Sequence, residues 1–184
     1  MFNRDNDSMP IQISDDTIDQ VYDDWKSKEF PYYPTDYKWR QAEFQKLLRF
    51  DRSTLLKPKN NAIGASVHGL ALAWSYMPHH WGVKCGYMKT PMSIWEDEEH
   101  LKKGIRKLLE GVFWDAKSEM NITDSDKRSI LRRYAGTQAV SNFRPTAAAT
   151  IYDKFLEKAS PLFGGNAGLT WDMSCGYGGR LLGA

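Results

Sequence analysis

The chain has 184 residues, with 25 Lys and Arg against 23 Asp and Glu for a formal net charge of +2, and 41% hydrophobic residues including seven Trp. That is enough apolar material for the core of one domain, or of one domain and part of a second. No apolar run approaches the roughly 20 residues that span a bilayer, the polar start Met1-Phe2-Asn3-Arg4-Asp5-Asn6-Asp7 does not read as a secretory signal, and two cysteines in unlike contexts, Cys85 and Cys175, do not make a disulfide framework.

The expected setting is therefore cytoplasmic, with no membrane partner. The small net charge hides an asymmetry. Residues 1–30 hold eight acids against three bases, a net −5, so the remaining residues carry +7 of the total of +2. A moderately basic body suits a polyanionic partner such as DNA.

Residues 1–13 are polar and read as a frayed start. Ser14 then serves as a predicted N-cap, followed by Asp15 and Asp16 at the positive end of a helix dipole. Ile18, Val21, Tyr22 and Trp25 fall on one face of that helix. Pro31 and Pro34 end it. A second helix is predicted over Asp36–Leu48, with Trp39, Phe44, Leu47 and Leu48 as its buried candidates. The most apolar segment is Gly64–Met77, and residues 66–77 of it read as a buried helix stopped by Pro78.

His79 and His80 are adjacent, so their side chains diverge, and no carboxylate or cysteine stands at ligand spacing. No metal is expected there. With Trp81 and Lys84 they form either a polar corner or a loop facing nucleic acid.

A long helix is predicted from Ser93 to about Val112, opened by the capping-box pattern Ser93-Ile94-Trp95-Glu96. Its apolar stripe is Leu101, Ile105, Leu108 and Val112; Lys102, Lys103, Arg106 and Lys107 lie off the stripe. A shorter helix from Thr123 or Ser125 to Tyr134 places Ile130, Leu131 and Tyr134 inward and Arg128, Arg132 and Arg133 outward. These seven cations are the candidate phosphate contacts, weighed against the blander reading of solvated helix faces.

The C-terminal fifty residues carry the chemistry. Gly136–Arg144 has the composition of an ordered loop, Pro145 can open a helix at its first turn, and Ala148, Ile151, Tyr152 and Phe155 make an apolar face. Ser160–Gly168 reads as a connector. Leu169-Thr170-Trp171 then closes on Asp172, and Asp172-Met173-Ser174-Cys175-Gly176-Tyr177-Gly178-Gly179-Arg180 forms a glycine-rich loop before an apolar helix start. Glycines let a backbone approach a ligand closely because no Cβ intervenes, and a helix start after them offers free N–H groups. The spacing is neither a dinucleotide G-x-G-x-x-G nor a phosphate loop, which needs Lys-Ser/Thr after its last glycine.

Asp-Met-Ser-Cys-Gly-Tyr-Gly-Gly resembles the first motif of class I S-adenosylmethionine (SAM) dependent methyltransferases, in the D-x-x-x-G-x-G form of enzymes that methylate amino groups of DNA bases. The upstream Gly136-Thr137-Gln138-Ala139-Val140-Ser141-Asn142-Phe143-Arg144-Pro145-Thr146, followed by Ala147 to Phe155, is similar to the segment that phage- and prophage-type members place just before that loop, a turn and helix start that closes over the methionine end of the cofactor. The resemblance covers about the last quarter of the chain. It implies a mainly α-helical N-terminal region, residues 1–134, that contacts DNA, followed over residues 135–184 by the start of an α/β Rossmann-like SAM-dependent methyltransferase domain, in a bacterial cell or phage-infected host.

It further implies that Asp172, Ser174, Gly176, Gly178 and Gly179 line the cofactor. Asn142, Arg144 and Thr146 would hold its methionine end, with Phe143 packed against it. No catalytic residue is assigned, because the Asn/Asp/Ser-Pro-Pro-Tyr/Phe segment that grips a flipped base is absent from the sequence, as is an acid about 20 positions past the loop for the ribose. Since each strand–helix unit needs about 30 residues and twelve follow Asp172, the expectation is a truncated, inactive fragment of a DNA methyltransferase, or one half of a split enzyme with a complementary C-terminal half. The alternative is a helical nucleic-acid-binding or structural phage protein whose glycine loop is only a turn.

Overall fold

The computed structural model describes residues 13–57, 59, 62–64, 66–111, 119–133, 136–156 and 172–184. It is mostly helical, and among the described residues the only sheet is a two-stranded antiparallel ribbon. The expected strand at Leu169–Trp171, the connector before it, the start before residue 13, Val112 and Tyr134 lie outside the described residues. None of the described helices is long and apolar enough to cross a membrane.

The chain forms two compact units. One is built from Met1–Pro31 and Trp81–Val140, the other from Tyr32–His80 and Ser141–Ala184. They are interleaved in sequence, so a single cut after residue 134 would leave Tyr32–His80 without the segment it packs with.

In the first unit, helix α1 (Asp15–Lys26) starts where Ser14 Oγ accepts the Thr17 amide at 3.2 Å. An N-cap of this kind contributes about 1 kcal/mol. Ile18, Val21 and Trp25 turn inward, as their spacing predicts, and Trp25 stacks on Trp95 with centroids 6.4 Å apart. Helix α6 (Asp124–Arg133) opens on a reciprocal box in which Thr123 Oγ1 accepts the Asp126 amide and Asp126 accepts the Thr123 amide. Its Ile130 and Leu131 are fully buried.

The single helix expected from Ser93 is two helices. Thr90 and Pro91 begin α4 (Pro91–Trp95), with the Thr90 hydroxyl accepting the Ser93 amide at 3.0 Å and Pro91 at the first helical position. Asp97 then adopts an extended backbone and caps α5 (Glu98–Leu109), accepting the His100 amide at 3.0 Å. Ser93 is thus inside a helix, and the capping box read there is not the one used. The break leaves the first amides of α5 without intrahelical acceptors, and the Asp97 carboxylate satisfies one of them while Glu98 and Glu99 sit favourably at the positive end of the new helix. The stripe itself holds, since Leu101, Ile105 and Leu108 are all buried.

In the second unit, Asp36 caps α2 (Tyr37–Arg49) through the Trp39 amide at 2.8 Å. Of its four expected core residues only Leu47 is buried; Phe44 and Leu48 are 38% and 54% exposed, and Trp39 is half-buried. The strands β1 (Leu56–Lys57) and β2 (Ala62–Ile63) pair Leu56 with Ile63 and Lys57 with Ala62.

Helix α3 (Leu70–Ser75) is shorter than the twelve-residue segment expected there. Gly69 precedes it at φ +81°, with the Pro145 ring and Leu47 where a Cβ would stand, so the helix begins only after that left-handed turn. Arg40 fastens α2 to α3 by donating to the Ser75 carbonyl at 2.6 Å and hydroxyl at 3.0 Å. Helix α7 (Pro145–Leu156) opens on Pro145 as expected, buries Ala148, Ala149 and Thr150, and packs against the short α8 (Gly179–Gly183).

Candidate cofactor loop and basic helix faces

The glycine loop and the Asn142–Thr146 segment, about thirty residues apart in sequence, meet inside the second unit. Asn142 Nδ2 donates to the Tyr177 carbonyl at 3.2 Å. Gly179 sits so close to the Phe143 backbone that a Cβ there would run into the Phe143 carbonyl oxygen, and a Cβ on Gly183 would collide with the first turn of α7. These two glycines let α8 lie directly on α7.

Gly176 and Gly178 do something else. Both take positive φ, +59° and +79°, and among the described residues nothing lies within 4 Å of the Gly178 Cβ position and only the Ser174 carbonyl, at 3.9 Å, near that of Gly176. They shape the loop and leave its backbone approachable.

Asp172 stands at the entrance of the loop. Its two oxygens accept from Arg180 Nε at 2.6 Å and Nη2 at 3.1 Å, and one also accepts the Ser174 amide at 3.0 Å. The Arg180 guanidinium first, and the Ser174 amide after it, hold the Asp172 carboxyl below the usual carboxylate range. The same pairing raises the Arg180 guanidinium. The guanidinium also lies 5.7 Å from the centre of the Phe143 ring, and Phe143 is 42% exposed.

Other expected ligands of the methionine end are engaged differently. Arg144 Nη1 donates to the Ser66 carbonyl at 3.2 Å. Thr146 is fully buried, its hydroxyl without a hydrogen-bond partner among the described residues and its carbonyl accepting from Thr150. Ser174 contributes its backbone amide, while its side chain is exposed.

No protein-family model, curated protein or solved structure matches this chain.

The geometry brings to the loop three residues that the sequence did not connect with it. Arg180 is one, and its signal was a charge opposite to Asp172 across the glycines, legible only once the loop is known to close. Trp74 and His79 are the others: both stand beside Tyr177, with centroids at 5.4 and 5.9 Å, and Trp74 also stacks on His80 at 4.1 Å. A buried Trp thus backs the loop where only a helix core was expected. Among the described residues, no three His, Cys, Asp or Glu side chains gather as a metal site would require.

The basic helix faces belong to the first unit. On α5, Lys102 is paired with Asp19 at 2.7 Å and Glu98 at 2.6 Å, Lys103 with Glu99 at 3.3 Å, and Arg106 with Asp15 and, at 3.8 Å, Glu110. Asp19 and then Glu98 push the Lys102 ammonium well above the usual lysine range. Lys107 is half-buried on the same helix. The acidic excess at the N-terminus is therefore spent partly on α5: two aspartates of α1 neutralise two of its four cations.

On α6, Arg128 donates to the Pro31 carbonyl at 3.2 Å and Arg132 lies 5.9 Å from the centre of the Trp81 ring. Both reach toward neighbours in their own unit. Arg133 is exposed and has no ion-pair partner among the described residues.

Proposed function

We propose that Asn142, Phe143 and the loop Asp172–Gly178 line the amino acid end of an S-adenosylmethionine pocket in a DNA methyltransferase acting on a base amino group, with the loop as the first turn of a Rossmann-like α/β domain. The single observation that carries this reading is the contact of the two segments that the resemblance pairs: Asn142 on the Tyr177 carbonyl, and Gly179 against Phe143. The donor set is of the right kind. A carboxylate and a guanidinium stand at the entrance, and Gly176 and Gly178 leave open backbone beside them.

When bound, the cofactor supplies an electrophilic methyl group on a sulfonium centre. This chain's part is to hold the donor: Asp172 accepts from the ammonium, the glycines admit the ligand to the backbone, and Asn142 fixes the loop through Tyr177. The base-gripping Pro-Pro segment is absent from these 184 residues, so on this reading the chain binds the donor without transferring its methyl group. DNA is the partner, and the setting is the cytoplasm of a bacterium or phage-infected cell.

Isothermal calorimetry of the 184-residue chain with SAM tests this. The expected result is measurable binding that falls at least about tenfold, or 1.4 kcal/mol of binding free energy, in Asp172→Ala. Unchanged affinity in that variant removes Asp172 from the site, and no binding by the native chain sinks the reading.

A second reading has its own observation. Asp172 is already satisfied by Arg180 and Ser174, and Gly179 and Gly183 serve helix contact, which is what a purely structural turn in a helical nucleic-acid-binding or structural phage protein requires. A folded chain that retains DNA but ignores SAM selects it.

A further inference from the structure

Arg180 grips the carboxylate that the cofactor reading assigns to the ligand. The pair is bidentate, at 2.6 and 3.1 Å, and its side chains keep 31% and 25% of their surface exposed, so an incoming polar group can reach both. The guanidinium lies beside the Phe143 ring, between the glycine loop and the segment that the loop touches. The other candidates for a carboxylate partner are turned elsewhere: Arg144 is on the Ser66 carbonyl, and Thr146 is fully buried.

An α-amino acid carries an ammonium and a carboxylate on one carbon, the same two charges that Asp172 and Arg180 present in the opposite sense. We propose that this ion pair is a zwitterion receptor: it opens to let Asp172 accept from a ligand's ammonium while Arg180 takes the ligand's carboxylate through its two-pronged donor set. Every charge is compensated before and after the exchange, so no uncompensated ion is left in the site. Arg180 then decides whether the pocket requires an intact amino acid end or accepts any adenine nucleoside. The assignment rests on the cofactor reading and adds to it a specificity-determining residue.

The test uses two neutral thioethers that share the nucleoside and differ in the amino acid: S-adenosylhomocysteine and 5′-methylthioadenosine, titrated calorimetrically into the full chain. Arg180→Gln should weaken the first at least about tenfold and leave the second within about twofold, with Arg180→Lys in between because it keeps the charge and loses the fork. The charge-swapped double variant, Asp172→Arg with Arg180→Asp, rebuilds a loop-closing pair and should still fail to bind S-adenosylhomocysteine. Recovery of binding in the double variant would show that only loop closure matters, and native-like binding by Arg180→Gln would likewise overturn the proposal while leaving the cofactor reading standing. A native chain that binds neither compound overturns both. Melting temperatures from circular dichroism check that each variant is folded; if Arg180→Gln is not, Arg180→Lys carries the comparison.

Discussion

Asp97 separates α4 from α5. Its carboxylate accepts the His100 amide at 3.0 Å and also pairs with the Lys89 ammonium. Lys89 first, and then the His100 amide and ring, hold its carboxyl far below the ordinary carboxylate range. A depressed acid of this kind stabilises the fold above its unfolded-state value, near about pH 4, and that contribution fades as the pH falls toward the folded value. Asp97→Ala should therefore melt below the native chain at pH 7, and the gap should narrow steadily between about pH 5 and about pH 2. Thermal melts of the two proteins across that range check it; a gap independent of pH would mean that the charge contributes nothing.

At the scale of elements, α5 joins a buried stripe to a charged face. Leu101 and Ile105 are fully buried in the core that α1, α4 and α6 share. Ile105→Ala should cost about 2–5 kcal/mol in denaturant unfolding, because the removed methyl groups leave a cavity that tight packing closes only partly. A loss under about 1 kcal/mol would indicate a site that relaxes freely. The opposite face of α5 spends its charge inside the molecule, on Asp15, Asp19, Glu98, Glu99 and Glu110. Helix α2 shows the converse. Its periodicity placed four residues inside, yet one is buried, because periodicity identifies an apolar face and says nothing of whether a neighbour covers it.

At the scale of the whole molecule, the chain passes three times between its two units, so DNA binding belongs to a test on the intact protein. Counterion release makes the logarithm of affinity fall with the logarithm of salt by about 0.9 per phosphate neutralised. In filter retention across a salt series, Arg133→Ala should flatten that slope by about one unit. Joint replacement of Lys102, Lys103 and Arg106 by Ala should change it little, since those cations already face carboxylates. A slope that responds to the α5 triple variant and not to Arg133 would reverse the assignment of the faces, and retention that ignores salt would remove DNA as a partner.

What the sequence determined by itself is local. Ser14 before an acidic turn, Pro145 at a helix start and the inward spacing of Ile18, Val21 and Trp25 each depend on residues within one or two turns, and each stands in the structure as read. The pairing of Asn142–Thr146 with the glycine loop was legible only as a resemblance. That they touch, that Gly179 and Gly183 serve a helix contact while Gly176 and Gly178 stay open, and that Asp172 is claimed by Arg180 were decided by tertiary structure. So was the masking of α5 by α1, whereas the break at Asp97 is a local cap whose signal, an aspartate before Glu98 and Glu99, lay in the sequence unused. The reason is common to all of them: a cap or a stripe is settled by neighbours in the chain, whereas an ion pair or a close glycine contact depends on which distant segment arrives opposite, and no short window of sequence contains that partner.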